Sequence, residues 1–158
     1  LTRTNRQMTI DRSTPALGAL FQELILEHYR KPRNRGVIPD ADATVHMKNP
    51  TCGDEIHLGI KLNDDGRIAD VKFLGEGCSI SQASASMMTG LLIGKTPSEA
   101  EELGARFAAM MHGDEAAAKD RSLGDTRVLA GVAKFPVRVK CAMLGWDAVQ
   151  EALQKARA

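Results

Sequence analysis

Apolar positions follow two different periods along this chain, and the switches between them mark out the elements. From Leu17 to Tyr29 the period is helical: Leu17, Leu20, Phe21, Leu24, Ile25 and Tyr29 share one face. Thr14 is placed to cap that helix and Pro15 to occupy its first turn. The helix is expected to end before Pro32, since the residue preceding a proline is pushed out of helical geometry. Arg30-Lys31-Pro32-Arg33-Asn34-Arg35-Gly36 then reads as a basic turn, a solvated loop rather than a docking patch.

The period next drops to two. Thr44 to Lys48 reads as a short strand, and Ile56, Leu58, Ile60 and Leu62 alternate as in a half-buried one. Asn63-Asp64-Asp65-Gly66 is a hairpin turn, with Ala69, Val71 and Phe73 alternating on the return strand. Helical spacing resumes after Cys78 in Ser79 to Met88, a small-residue helix that Gly94 is expected to stop. Thr96-Pro97-Ser98-Glu99 is a capping box opening a helix to about Met111, with Leu103, Phe107 and Met110 inward. Residues 112 to 126 form a charged, alanine-rich excursion around His112-Gly113-Asp114-Glu115, without a strong apolar face until Leu123, Val128 and Leu129. Pro136 opens a last helix whose stripe is Val137, Cys141, Leu144, Ala148, Val149, Ala152 and Leu153. Methionines 87, 88, 110, 111 and 143 read as core filler.

Composition narrows the class. With 158 residues and 43% apolar content, the chain is expected to fold around one core, residues 1–13 as a flexible lead-in and 14–158 as one domain. No repeat or linker divides it. A net charge of +1 argues against a general nucleic-acid binder. No apolar run reaches the length of a membrane span. The polar, basic start lacks the apolar core of a signal peptide, and an odd cysteine count fits a reducing compartment, so a cytoplasmic location is expected.

The candidate chemistry lies in the cysteines. Cys52 sits in Pro50-Thr51-Cys52-Gly53-Asp54, Cys78 in Gly75-Glu76-Gly77-Cys78-Ser79, and Cys141 in Phe135-Pro136-Val137-Arg138-Val139-Lys140-Cys141. Cys52 and Asp54 fall where the chain enters the predicted hairpin, and Cys78 just beyond its end. Those two ends of an antiparallel hairpin are neighbours, so the topology brings Cys52, Asp54 and Cys78 together. Cys78 and Cys141 both fall near helix N-termini, where negative charge is favoured. Arg138 lies one turn from Cys141 on the same side. Three thiolates and a carboxylate are a tetrahedral ligand set for zinc. They are equally a set of sulfur nucleophiles, and a buried cysteine can also be an inert small hydrophobe. The four histidines are scattered and read as surface or satisfied core, His57 on the outward phase of its strand. The serines after Cys78 read as close-packing residues. Gly75-x-Gly77 lacks the further features of a phosphate loop.

The motifs around these cysteines carry a resemblance. The chain resembles the IscU/SufU family of iron–sulfur cluster assembly proteins from about Leu20 to Leu153. The matching motifs are His28-Tyr29-x-x-Pro32-Arg33-Asn34-x-Gly36, Asn49-Pro50-x-Cys52-Gly53-Asp54, Gly75-x-Gly77-Cys78-x-Ile80-Ser81-x-Ala83-Ser84 and Phe135-Pro136-x-Arg138-x-Lys140-Cys141. Lys140 stands where IscU-type scaffolds carry a histidine, and Met111 to Arg127 looks like the insertion of the SufU branch.

The resemblance implies an α+β fold, a small three-stranded antiparallel sheet with helices packed on one side. It implies one zinc held by Cys52, Asp54, Cys78 and Cys141. It also implies a zinc-dependent persulfide transferase, fed by a SufS-type cysteine desulfurase, with a SufB-containing scaffold complex as a further partner. Neither nucleic acid nor membrane is expected as a partner. Cys52 is the expected sulfur acceptor and Cys141 the runner-up, with Arg138 and Asp54 supporting. The alternative is an IscU-like scaffold that assembles an iron–sulfur cluster on the same ligands.

Overall fold

The structure, a computed structural model, describes residues 15–157 except Cys52. The lead-in expected over residues 1–13 and the cap expected at Thr14 lie outside the described residues. Strands β1 (Ala43–Asn49), β2 (Asp54–Leu62) and β3 (Ile68–Glu76) form an antiparallel sheet in the order β1-β2-β3. Helix α1 (Pro15–Arg30) precedes it, and α2 (Ser79–Leu92), α3 (Pro97–Met111), the short α4 (Glu115–Ala118), a 3₁₀ segment (Arg121–Lys134) kinked at Gly124, and α5 (Pro136–Arg157) follow. The expected α+β architecture is therefore the observed one.

Alternation builds the core. Val45, Ile56, Leu58, Ile60, Val71 and Phe73 are buried beneath α2 and α5, while Thr44, His46, Lys48 and His57 face out. The return strand departs from simple alternation. Lys61 pairs with Asp70 but Leu62 pairs with Ile68, so Ala69 is the extra residue of a bulge. Ile68 takes the inward place, 1% exposed, and Ala69, expected inward, is exposed. Gly94 does stop α2, with a φ of 92°. The capping box is present: Thr96 Oγ1 accepts from Glu99 N–H and Glu99 Oε1 accepts from Thr96 N–H. Phe107 on α3 stacks on Trp146 of α5 with ring centroids 4.9 Å apart. The excursion after Met111 is stitched by side-chain caps. Asp114 accepts from Ala116 and Ala117 N–H, and Asp120 from Ser122 N–H and hydroxyl and from Arg106. Those bonds, Ser122 first, hold the Asp120 carboxyl down at about 2.

In α1 the side-chain description begins at Phe21, so Leu17 and Leu20 lie outside it. Tyr29, expected inward, is exposed at 43%, and His28 is the buried residue of that turn at 2%. Ser86 Oγ of α2 accepts from Arg33 N–H at 2.8 Å and is hydrogen-bonded to His28 Nδ1 at 2.8 Å. His28 Nε2 faces Asp125 at 3.6 Å. The basic turn is likewise docked rather than loose. Asn34 O accepts from Phe73 N–H, Gly36 N–H donates to Phe73 O, and Asn34 Nδ2 donates to Thr89 Oγ1. The side chains of Arg30, Lys31, Arg33 and Arg35 are turned to solvent.

Burial pushes His28 below its ordinary value, helped by Arg33 and opposed by Asp125. The folded chain thus binds fewer protons than the unfolded one on the acid side of the free imidazole pKa of about 6.5. This part of the stability is complete above that pH and declines as the pH falls below it. Denaturant melts at stepped pH are expected to show that decline, and His28→Gln to flatten it. An unchanged slope in the variant would remove His28 as its source.

Candidate metal centre

The hairpin and two helix starts converge at one end of the sheet. Glu55 pairs with Glu76 as the last rung between β2 and β3, so Asp54 and Cys78 flank its open end. Asp54 is 1% exposed. Its Oδ1 accepts from Cys78 N–H at 2.9 Å, and its Oδ2 lies 3.8 Å from Cys78 Sγ. The carboxylate thus does the capping at the start of α2, where Cys78 offers no side-chain cap of its own. Gly77 makes the approach possible. Its φ is 144°, and a Cβ there would collide with Asp54 Oδ1.

Cys141 comes from the opposite direction. It is fully buried on α5, its Sγ 3.7 Å from Val137 O. The serines of α2 set this docking as close-packing residues: Ser84 is fully buried and its hydroxyl donates to Ala142 O at 2.7 Å. Val137, expected on the inner stripe, is instead 56% exposed, because the first turn of α5 projects past the core. Arg138, exposed on that turn, interacts with both thiols. Cys78 first, then Cys141, raises its guanidinium above the ordinary value. Lys140 is exposed.

The ligand atoms of Asp54, Cys78 and Cys141 all lie within 4.8 Å of one another. For a tetrahedral zinc with Zn–S of about 2.3 Å and Zn–O of about 2.1 Å, the sulfur–oxygen edge is about 3.6 Å. The separation of 3.8 Å between Cys78 Sγ and Asp54 Oδ2 fits that edge without rearrangement. The donor set suits a borderline ion such as zinc. Cys52, the fourth expected ligand, lies outside the described residues. Its neighbours Thr51 and Gly53 are both exposed, and Gly53 has a φ of 70°.

Two features of this end were not read from the sequence. One is the second duty of Asp54 as anchor of the Cys78 amide; the aspartate and the glycine before Cys78 were its only signals. The other is a separate group, His46, Glu55 and His57, gathered on the outer face of the sheet. It becomes visible only once β1 and β2 are placed in register.

The profile of the NifU-like N-terminal domain family matches residues 20–158. The chain is 48% identical over 141 residues to the zinc-dependent sulfurtransferase SufU of Bacillus subtilis, covering 88% of this chain and 92% of that protein. It is 43% identical over 139 residues to the iron–sulfur cluster assembly scaffold protein IscU of Streptococcus pyogenes, covering 88% of this chain and 86% of that one. Its fold matches a crystal structure described as an iron–sulfur cluster assembly scaffold protein for the SUF system, from Fervidobacterium islandicum. There the TM-score is 0.75 and the identity 38%, over 83% of this chain and 94% of that one.

Proposed function

The chain belongs to the NifU-like N-terminal domain family, within the IscU/SufU group of iron–sulfur cluster assembly proteins, and on that premise we propose that it is a zinc-dependent sulfurtransferase. It takes persulfide sulfur from a SufS-type cysteine desulfurase and passes it toward a SufB-containing scaffold in the cytoplasm. The observation that carries the reading is the convergence of Asp54, Cys78 and Cys141 beside Arg138. The likeness to a relative named for zinc-dependent sulfur transfer supports it.

Cys52, Asp54, Cys78 and Cys141 would hold the metal. Bound there, zinc would keep the thiolates deprotonated and shield them from oxidation. The transfer itself is an exchange between thiolates. The Cys52 thiolate attacks the outer sulfur of the desulfurase persulfide. A sulfur–sulfur bond forms on Cys52, the bond on the desulfurase breaks, and the desulfurase cysteine leaves as a thiolate. No electrons are gained or lost overall. Arg138 offsets negative charge as the incoming persulfide anion approaches. Cys141, fully buried on α5, is less open to such an attack.

The test is desulfurase turnover with cysteine as substrate, with and without this chain, together with metal analysis of the purified protein. A several-fold rise in turnover and about one zinc per chain are expected at the cysteine centre. Unchanged turnover over a wide concentration range would dismiss the transfer role with that desulfurase. A scaffold role is the second reading, favoured by the likeness to a relative named an IscU scaffold. It requires a coloured protein after reconstitution with iron and sulfide, whereas a zinc protein stays colourless.

A further inference from the structure

The outer face of the sheet carries a cluster that the cysteine chemistry does not use. His46 of β1 stands directly opposite His57 of β2 in the register, and Glu55 is the next outward residue of β2. The two imidazoles are stacked, with centroids 4.0 Å apart and planes within 5° of parallel. Both turn Nε2 toward one oxygen: Glu55 Oε2 is 2.5 Å from His46 Nε2 and 3.5 Å from His57 Nε2. Three potential ligand side chains from adjacent strands thus meet at one point of the outer face.

We infer that His46, Glu55 and His57 form a second metal site, for a divalent transition-metal ion of the zinc class, on the solvent face of the sheet. The donor types support it. Two imidazole nitrogens and a carboxylate oxygen are the ligands that borderline divalent ions prefer to alkaline-earth ions. The geometry supports it as well. The three ligand atoms lie within 4.8 Å of one another. Donors about 2.1 Å from a tetrahedral zinc stand about 3.4 Å apart. The His57–Glu55 pair is already at 3.5 Å; the His46–Glu55 pair must open, and the two parallel rings must tilt for their in-plane lone pairs to converge on one ion.

Among the described residues these side chains lie at the surface of the sheet, open to that adjustment. His46 and His57 are 46% and 58% exposed and Glu55 is 32% exposed. Glu76 stands across from Glu55 on β3 and adds negative charge, while Lys48, across on β1, opposes it. Three protein ligands leave coordination positions to water. The site is separate from the cysteine centre although Asp54 and Glu55 are consecutive. Successive residues of a strand point to opposite faces. Asp54 is turned inward and Glu55 outward.

The experiment is equilibrium dialysis of the folded protein against Zn²⁺ alone, raised stepwise beyond the level that fills the cysteine centre. The wild type is compared with H46A/H57A, E55Q and, as a control on an exposed histidine elsewhere, H112A. Wild type and H112A are expected to take up one further zinc per chain. H46A/H57A should take up none of it, and E55Q should need about tenfold more zinc. The substituted positions lie on an exposed face, and melting curves check that each variant is folded. Equal uptake by wild type and H46A/H57A would overturn the site, as would an equal loss in H112A. Cys78→Ser, run in parallel, should retain the outer-face zinc. This keeps failure of the cysteine centre distinct from failure of this one.

Discussion

Cys141→Ser is expected to strip the cysteine centre of its zinc and to lower the thermal midpoint by about 10 °C. The substitution itself is mild for the fold. The introduced hydroxyl is close in size to the thiol and can donate to Val137 O, which lies 3.7 Å from the sulfur. What is lost is a ligand that no other described side chain can replace at that point. An ion that binds only the folded chain adds about 4 kcal/mol when its free concentration is a thousandfold above Kd. For a chain of this size that is about 10 °C in Tm. Metal content by plasma spectrometry and calorimetric melts check it. Full zinc in the variant would remove Cys141 from the ligand set.

Asp54→Ala is expected to behave differently. It removes an oxygen ligand whose place water can take, so part of the metal stays. It also leaves the Cys78 N–H without its acceptor, at a cost of about 1–3 kcal/mol if no water reaches it.

Cys52→Ser is expected to abolish sulfur uptake altogether, with desulfurase turnover falling to the level seen without this chain. In the wild type, brief mixing with desulfurase and cysteine should place one additional sulfur on the Cys52 peptide in mass spectra. Access separates the two cysteines. Thr51 and Gly53 on either side of Cys52 are exposed, whereas Cys141 is sealed and its helix is fixed through Ala142 to Ser84. A partner's persulfide is therefore expected to meet Cys52 first, because reaching Cys141 requires moving α5. Finding the extra sulfur first on Cys141, with Cys52 unmodified, would reverse the assignment.

Much of this architecture was legible because it depends on short-range rules. Thr96 and Glu99 announce their helix through a reciprocal cap that needs only four residues of sequence. The alternation of Ile56, Leu58 and Ile60 fixes which face of β2 is buried. Hairpin topology alone sufficed to bring Asp54 beside Cys78. Other features depend on neighbours that no local pattern names. The bulge at Ala69 follows from how β3 must meet Leu62. Tyr29 and Val137 are apolar in type, yet they sit where α1 and α5 run beyond the body they cover. His28 is buried where Ser86, 58 positions further on, meets its ring while also accepting from the Arg33 amide. The pairing of His46 with His57 was hidden for the same reason: a register is a property of two strands and is written in neither.

The bond from Asp54 to the Cys78 amide has a consequence for anyone redesigning this protein. A tighter grip on metal would ordinarily be sought by exchanging the lone oxygen ligand for sulfur or imidazole. Here the same carboxylate also fastens the end of the hairpin to the head of α2, through an oxygen that a thiolate has no counterpart for. Affinity and alignment are therefore a single adjustable quantity at position 54, and a gain in one is taken from the other.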